Sequence, residues 1–545
     1  MDRRSFISSG IGLGAVAAGS LVSGKLARAF ALDAKGTPGA TVATTSGRIR
    51  GLSVNGVQAF RGVPYGASTE GANRFMPPAK PKPWTNVRDA FDLGLRSPQL
   101  DTQFNGVVIP EVAATSPLEP MGEDCLCLNL WTPGAVAGGK RPVMVWLHGG
   151  GYTTGSAGFT MYDGRELARK HDVVVVGVNH RLTIFGFLTL AGIGGEKYAA
   201  ASNVGILDIV AALEWVRDNV SSFGGDPGNV TIFGQSGGGG KVSTLTAMPS
   251  AKGLFHRAIV ESGSEIRGIP QESANKTAAA FLAKLDLGPN QIDRLQTLPL
   301  KQLLDTLQSM SGAGVGASDA IGQLGPVVDG RTLPANPFDP AASPISANIP
   351  MLIGTNETEV TFFANQILDP LDDAELHKRV KGAVRGADDT KVDALIAAYR
   401  EGRPGISNID LYLILDSDQT FRAGVITEAE RKADAPAPVY QYYFTWRSPV
   451  RDGKLKAFHT LEIPFVFDNV DSAQSMTGTG QDRYALADKI SSAWVAFART
   501  GNPNHKGIPE WRPYTNAERA IMLLDNECKL VNDPHGAERR ALRSA

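Results

Sequence analysis

A serine set among glycines, G-Q-S-G-G at residues 234–238, has the pattern G-x-S-x-G with Ser236 at its centre. A serine hydroxyl attacks a carbonyl only when the chain lifts it into the open beside a base that takes its proton. The residues before it, 230–233 (V-T-I-F), predict a short buried strand, and those after it a helix. That context puts Ser236 on a tight strand-to-helix turn where the flanking glycines leave room for it. The pattern alone is weak: with 61 glycines in 545 residues, chance supplies roughly 0.4 matches. A plain Gly-rich turn and a phosphate loop compete with it, since Lys241 follows four glycines. The phosphate loop fails on spacing. The first Gly of G-x-x-x-x-G-K would fall on Gln235, and Val242 stands where Ser or Thr would bind magnesium.

A second glycine cluster bears on the same chemistry. Gly149, Gly150 and Gly151 follow His148 directly after an apolar run. Attack on a carbonyl builds negative charge on its oxygen, and backbone N–H groups stabilise that charge where the chain can approach closely and turn its amides inward. Gly150 and Gly151, with the N–H of Gly237 after the serine, are the expected oxyanion hole.

The elements that must position these groups can be read from periodicity. Residues 142–147 (P-V-M-V-W-L) and 172–178 (D-V-V-V-V-G-V) are apolar runs that predict buried strands. Over 203–220, Ile206, Ile209, Val210, Leu213, Val216 and Val220 recur at helical spacing. Residues 223–227 (F-G-G-D-P) predict a turn, 230–233 a strand, and 258–261 the start of another. Strands alternating with helices imply a parallel sheet covered on both faces. Further on, 271–310 and 371–435 predict helices, 349–354 and 439–446 strands, and 311–325 a Gly-rich mobile loop. A helix over 485–500 ends at Gly501, with Pro503 beyond it. No internal repeat and no long linker interrupts this pattern.

Composition narrows the class. Hydrophobic residues make up 42% and charged residues 20%, ordinary for a globular protein. The net charge of -1 and the absence of a basic run with interleaved aromatics leave nothing to attract nucleic acid. The first 31 residues read as a twin-arginine export signal. Arg3 and Arg4 precede a weakly apolar stretch diluted by Gly10, Gly12, Gly14 and Gly19, and Ala29-Phe30-Ala31 is a small-x-small cleavage site before Leu32. An exported protein, periplasmic or secreted, with no membrane contact after cleavage, is therefore expected. Cys125, Cys127 and Cys528 are too few for a disulfide framework and are expected as buried thiols.

Together these stretches resemble the type-B carboxylesterase, or cholinesterase-like, family of α/β-hydrolases. The resemblance rests on F-R-G-V-P-Y-G at 60–66, E-D-C-L-C-L-N-L-W at 123–131, H-G-G-G-Y at 148–152 and R-L-T-I-F-G-F-L at 181–188. A long specific block covers 203–238, followed by E-S-G-S at 261–264 and W-V-A-F-A-R-T-G-N-P-N at 494–504. The resemblance implies the α/β-hydrolase fold, a mostly parallel central sheet with helices on both faces. It implies one catalytic domain over 32–545 with helical insertions at roughly 271–345 and 365–435. It also supplies the rest of a triad. The family acid lies in G-x-N-x-x-E, here G-T-N-E-T-E at 354–359, which makes it Glu359. Glu357, Asp329 and Asp418 are the competitors, with Asp329 in a turn-like P-V-V-D-G and Asp418 similar to a structural family Asp. The family His precedes x-x-E-[IL]-P, here H-T-L-E-I-P at 459–464, which makes it His459.

The departures from the family pattern are informative. Gln235 replaces the usual Glu before the nucleophile, and His180 replaces a usual Tyr. Ser97 stands where the family has the Cys that pairs with Cys125. Residues 98–124 contain no Trp to stack on a quaternary ammonium, so choline esters are poor candidates. The expected function is hydrolysis of a small-molecule carboxylic ester through an acyl-enzyme, with no cofactor and no metal. The alternatives are the same triad on carbamates or amides, or a non-catalytic binding protein on this fold; the ester itself and the oligomeric state stay open.

Overall fold

The computed structural model describes residues 36–544, apart from 101–107, 117–118, 311–323, 364–365, 367 and 385. The export signal with Arg3 and Arg4, and nearly all of the Gly-rich segment 311–325, lie outside the described residues.

The chain enters through an antiparallel meander, β1 (Thr37–Thr44), β2 (Gly47–Val54) and β3 (Val57–Pro64), with a short β4 (Arg88–Asp89) on β2. There follow β5 (Cys127–Thr132), β6 (Arg141–Leu147), β7 (Val174–Val178), β8 (Gly225–Gln235) and β9 (Arg257–Glu261). A separate parallel pair is formed by β10 (Ile269–Pro270) and β11 (Val327–Val328). Then β12 (Met351–Asn356), β13 (Val439–Phe444), β14 (Ala520–Leu524) and β15 (Lys529–Asn532) complete the large sheet. Its order is β1-β2-β3-β5-β7-β6-β8-β9-β12-β13-β14-β15. From β7 to β14 every neighbouring pair is parallel, and the antiparallel pairs lie toward the two edges.

Alternation along the strands produces two cores. On β6, Val143, Val145 and Leu147 join one buried cluster, while Met144 and Trp146 join the other. A strand buried on both faces has to read as an uninterrupted apolar run, as this one does. The helix Val204–Asn219 covers the first face with Ile206, Ile209, Leu213 and Val216. The helix Asp482–Thr500 covers the second with Leu486, Ile490, Trp494 and Phe497, and ends on Gly501 in the left-handed region. Arg181 crosses to Asp208 on the first of these helices with two side-chain bonds of 2.8 and 2.6 Å and one from its own N–H at 3.0 Å. Both residues are fully buried. The sequence blocks around 181 and 208 thus meet in one ion pair.

Helices Asp373–Ala383, Asp389–Gly402 and Asn408–Ser417 pack a third, smaller cluster around Leu376, Val392, Tyr399 and Leu411. A single π-helical turn, Asp418–Arg422, links the last of them to the helix Ala423–Ala433. The predicted turn at 223–227 is corrected: strand pairing begins at Gly225. The register against β6 then shifts between Arg141 and Val143, so the Gly-Asp-Pro stretch is taken up as an irregularity in β8. The three cysteines are free and buried, as expected. Among the described residues, no single helix is long and apolar enough to cross a membrane.

Candidate active site

The site lies at the C-terminal ends of neighbouring parallel strands, the edge at which open α/β sheets generally bind ligands. β8 ends at Gln235 and a nine-residue helix, Gly237–Leu245, starts two residues later. Between them Ser236 has φ 58° and ψ -126°, a conformation that L residues rarely adopt. It is pinned on both sides: its N–H donates to the Glu261 carbonyl at 2.8 Å and its carbonyl accepts from the Gly240 N–H at 3.0 Å. The turn has no room for side chains behind it. A Cβ on Gly238 would collide with the Leu147 carbonyl, and one on Gly237 with the Gly151 backbone.

Gly150 and Gly151 follow β6 with φ of 88° and 60°, where glycine is at ease. Their loop is tied inward by its carbonyls. Gly149 O accepts from His148 Nδ1 at 2.8 Å, and Gly150 O accepts from the Thr154 N–H at 3.0 Å. Among the described residues no hydrogen bond uses the N–H of Gly150 or Gly151. The Gly237 N–H, first in its helix, has no intrahelical acceptor. The three expected donors are thus unspent, with Gly237 packed against the Gly151 backbone and placed at a helix N-terminus whose dipole favours negative charge.

β12 ends at Asn356, and Glu359 opens the 3-10 turn behind it. His459 lies on the connection after β13. Its Nδ1–H donates to Glu359 Oε2 at 2.6 Å, while Glu359 Oε1 accepts from the Asn356 N–H at 2.8 Å. His459 is 3% exposed and Glu359 0%. The competitors are engaged elsewhere. Glu357 is shared by Arg403 at 2.7 Å and Arg447 at 3.0 Å, and these arginines hold its carboxyl below the ordinary range against the effect of burial. Asp418 bonds Tyr399 at 2.8 Å. Asp329 accepts the N–H groups of Arg331, Thr332 and Leu333, as a turn aspartate does.

Gln235 is fully buried and its Nε2 lies 3.3 Å from Nδ1 and 3.2 Å from Nε2 of His459. Near-equal distances put the amide over the ring face, because in the ring plane Cε1–H would stand in the way. The in-plane lone pair of Nε2 is therefore not consumed. Phe362 and Phe421 close the remaining sides of the ring, with centroids at 5.1 and 4.7 Å. Among the described residues no hydrogen bond joins Ser236 Oγ to His459; in ligand-free sites this contact is often long and tightens on binding. Of the aromatic residues that follow the glycine loop, Tyr152 packs on Phe187 and Phe159 on Tyr162. No group of three His, Cys, Asp or Glu among the described residues is arranged to hold a metal.

Sequence reasoning missed the carboxyls stacked behind the histidine. Glu462 Oε2 accepts from Asn356 Nδ2 at 2.5 Å, and Glu261 Oε1 accepts from Trp494 Nε1 at 2.8 Å. Burial first, then the neighbouring Glu359 and Glu261, pushes Glu462 well above the ordinary range. Burial likewise pushes Glu261 from 4.5 to about 8. Both residues were visible inside the motifs at 261–264 and 459–464, but a role could not be read before the fold brought them together.

The carboxylesterase family model matches residues 38–541. The para-nitrobenzyl esterase of Bacillus subtilis (strain 168) is 36% identical over 513 residues, covering 92% of this chain and 98% of that protein. The phenmedipham hydrolase of Pseudarthrobacter oxydans is 34% identical, covering 89% and 94%. Among solved structures, a carboxylesterase of Geobacillus stearothermophilus superposes with a TM-score of 0.77 at 37% identity, covering 92% and 99%.

The buried Glu261 yields a stability prediction. Its folded pKa lies above its unfolded one, so the folded form binds the proton more tightly. Stability is then fully present below about pH 4.5 and is lost as pH rises toward about 8. Glu261→Gln should flatten the fall in melting temperature between pH 5 and 8. An unchanged slope in calorimetry would show that Glu261 does not carry this linkage.

Proposed function

This chain belongs to the carboxylesterase family and hydrolyses carboxylic esters, and from that premise we propose that it works through an acyl-enzyme on Ser236. Ser236 Oγ adds to the ester carbonyl while His459 Nε2 takes its proton. The carbonyl oxygen becomes an oxyanion held by the N–H groups of Gly150, Gly151 and Gly237. Collapse breaks the bond to the alcohol, which leaves with the proton from His459. Water, deprotonated by the same nitrogen, then releases the acid and restores Ser236. The observation that carries this reading is the 2.6 Å bond from His459 Nδ1 to Glu359. With Nδ1 committed, Nε2 is the nitrogen left to accept a proton, and the carboxylate offsets the charge that forms on the ring.

The preferred substrates are neutral esters. Gln235 puts an uncharged amide where a carboxylate would attract a cationic alcohol, and residues 98–124 offer no Trp face. A buried cation without a partner costs several kcal/mol. Residues 1–31 act as a twin-arginine export signal cleaved after Ala31, and 32–545 work as one catalytic unit in the periplasm or outside the cell. Arg3, Arg4 and the Ala-Phe-Ala site support this.

Four tests follow from these assignments. Ser236→Ala should abolish hydrolysis of a short aryl ester in a folded protein. Glu359→Gln should lower kcat by about 10⁴, as when a triad acid is neutralised, and Glu357→Gln far less; the reverse order moves the acid to Glu357. With paired thioesters, one of a choline-like alcohol and one of its uncharged tert-butyl isostere, kcat/KM should not favour the cation. A preference above about tenfold, or 1.4 kcal/mol, contradicts the neutral pocket. Replacing Arg3 and Arg4 by Lys should leave uncleaved precursor in the cytoplasm, and unchanged export contradicts the signal.

A further inference from the structure

Lys241 is a buried amine near Ser236 that the triad and its donors do not use. It sits on the helix Gly237–Leu245, one turn beyond Gly237, and is 0% exposed. Lysine is almost never fully buried unless paired, yet among the described residues no salt bridge reaches it. Its Nζ donates to the carbonyl of His148 at 2.8 Å and lies 5.7 Å from the centroid of the Tyr152 ring. Around it stand His148 and His180, stacked at 4.9 Å, and Tyr152, whose hydroxyl donates to Glu265 at 2.6 Å. Burial and the charge of Lys241 hold both imidazoles well below the usual histidine range, so neither competes with His459 as a base.

The carbonyl that Lys241 grips begins the loop of unspent donors. Three successive carbonyls are tied back: His148 O by Lys241 Nζ, Gly149 O by His148 Nδ1, and Gly150 O by the Thr153 and Thr154 N–H groups. Each peptide is planar, so fixing its carbonyl aims the N–H on the opposite side. Among the described residues, Lys241 supplies the only side-chain hydrogen bond that ties the 148–151 loop to the nucleophile's own helix. We propose that Lys241 is a positioning residue for the oxyanion hole, registering the 148–151 loop against the helix that carries Ser236 so that the Gly150, Gly151 and Gly237 donors converge on one point. This rests on the reading of those three amides given above. It explains why a buried, unpaired amine is kept at a place where an apolar side chain would cost less.

Lys241→Met tests it, because methionine has similar length and no donor. Replacing a buried charged group by a packed apolar one is often neutral or stabilising, so the variant should melt at or above the wild-type temperature. Its kcat on a neutral aryl ester should fall about 10- to 100-fold, short of the loss when an oxyanion donor is deleted outright, with KM within about threefold. A trifluoromethyl ketone reports the hole directly. Ser236 Oγ bonds to its carbonyl carbon, the proton passes to His459, and the oxygen becomes an oxyanion. Its inhibition constant should rise by the same factor as kcat/KM falls. Lys241→Gln, which keeps a donor, should recover part of the loss and decides the matter if the Met variant does not fold. Wild-type kcat in Lys241→Met, a loss confined to KM, or failure of both variants to fold overturns the proposal. Wild-type protein without esterase activity, or active Ser236→Ala, would instead overturn the functional reading beneath it.

Discussion

Ser236 holds a backbone conformation, φ 58° and ψ -126°, that costs on the order of 1–3 kcal/mol, and the site is built around that constraint. The turn forms only because β8 is central in the sheet, with β6 on one side and β9 on the other. The Glu261 carbonyl at the end of β9 takes the serine N–H, and the end of β6 lies so close that Gly238 can carry no Cβ. A helix started so abruptly leaves its first N–H groups without acceptors. The strain at Ser236 and the unspent Gly237 donor are therefore one structural event.

Sheet order then delivers the remaining groups. The loop after β6 supplies Gly150 and Gly151, the turn after β12 supplies Glu359, and the connection after β13 supplies His459. No two of these segments are close in sequence, so the parallel register of β6, β8, β9, β12 and β13 sets their mutual distance. Behind the histidine, Asn356 holds Glu359 with its N–H and Glu462 with its side chain. One residue thereby spaces two buried carboxyl groups, of which Glu462 favours its neutral form. Charge beneath the ring is kept low, and the contact between His459 and Glu359 is left as the local polar bond directed at Nδ1.

Much of this was legible in the sequence, and the reasons are local. The apolar runs at 142–147 and 172–178 read as strands because both faces are buried, and the 3.6-residue spacing over 203–220 read as a helix because one face is. Ser236 was legible because glycine is required by close approach, and close approach leaves a mark on composition. Glu359 and His459 were found only through resemblance to a family, since periodicity places neither. The strands toward the two sheet edges, β1 to β3, β14 and β15, were not seen. In the antiparallel meander β1 to β3 buried and part-exposed positions mix, so no continuous apolar run marks them. Residues 223–227 read as a turn because Gly, Asp and Pro disfavour strands, but the neighbouring β6 imposed pairing from Gly225 on. Lys241, Glu261 and Glu462 were visible as letters; their burial is a tertiary fact that spacing does not encode.

The nucleophile is the claim on which the mechanism turns. Treating purified mature protein with one equivalent of an organophosphate and mapping the adduct by peptide mass spectrometry addresses it directly. Ser236 Oγ displaces the leaving group from phosphorus, which adds a stable mass to that residue. A single adduct on the peptide carrying Ser236, appearing in step with loss of ester hydrolysis, is expected. Complete inactivation with the adduct on any other residue, or ester hydrolysis persisting after Ser236 is fully modified, would contradict it.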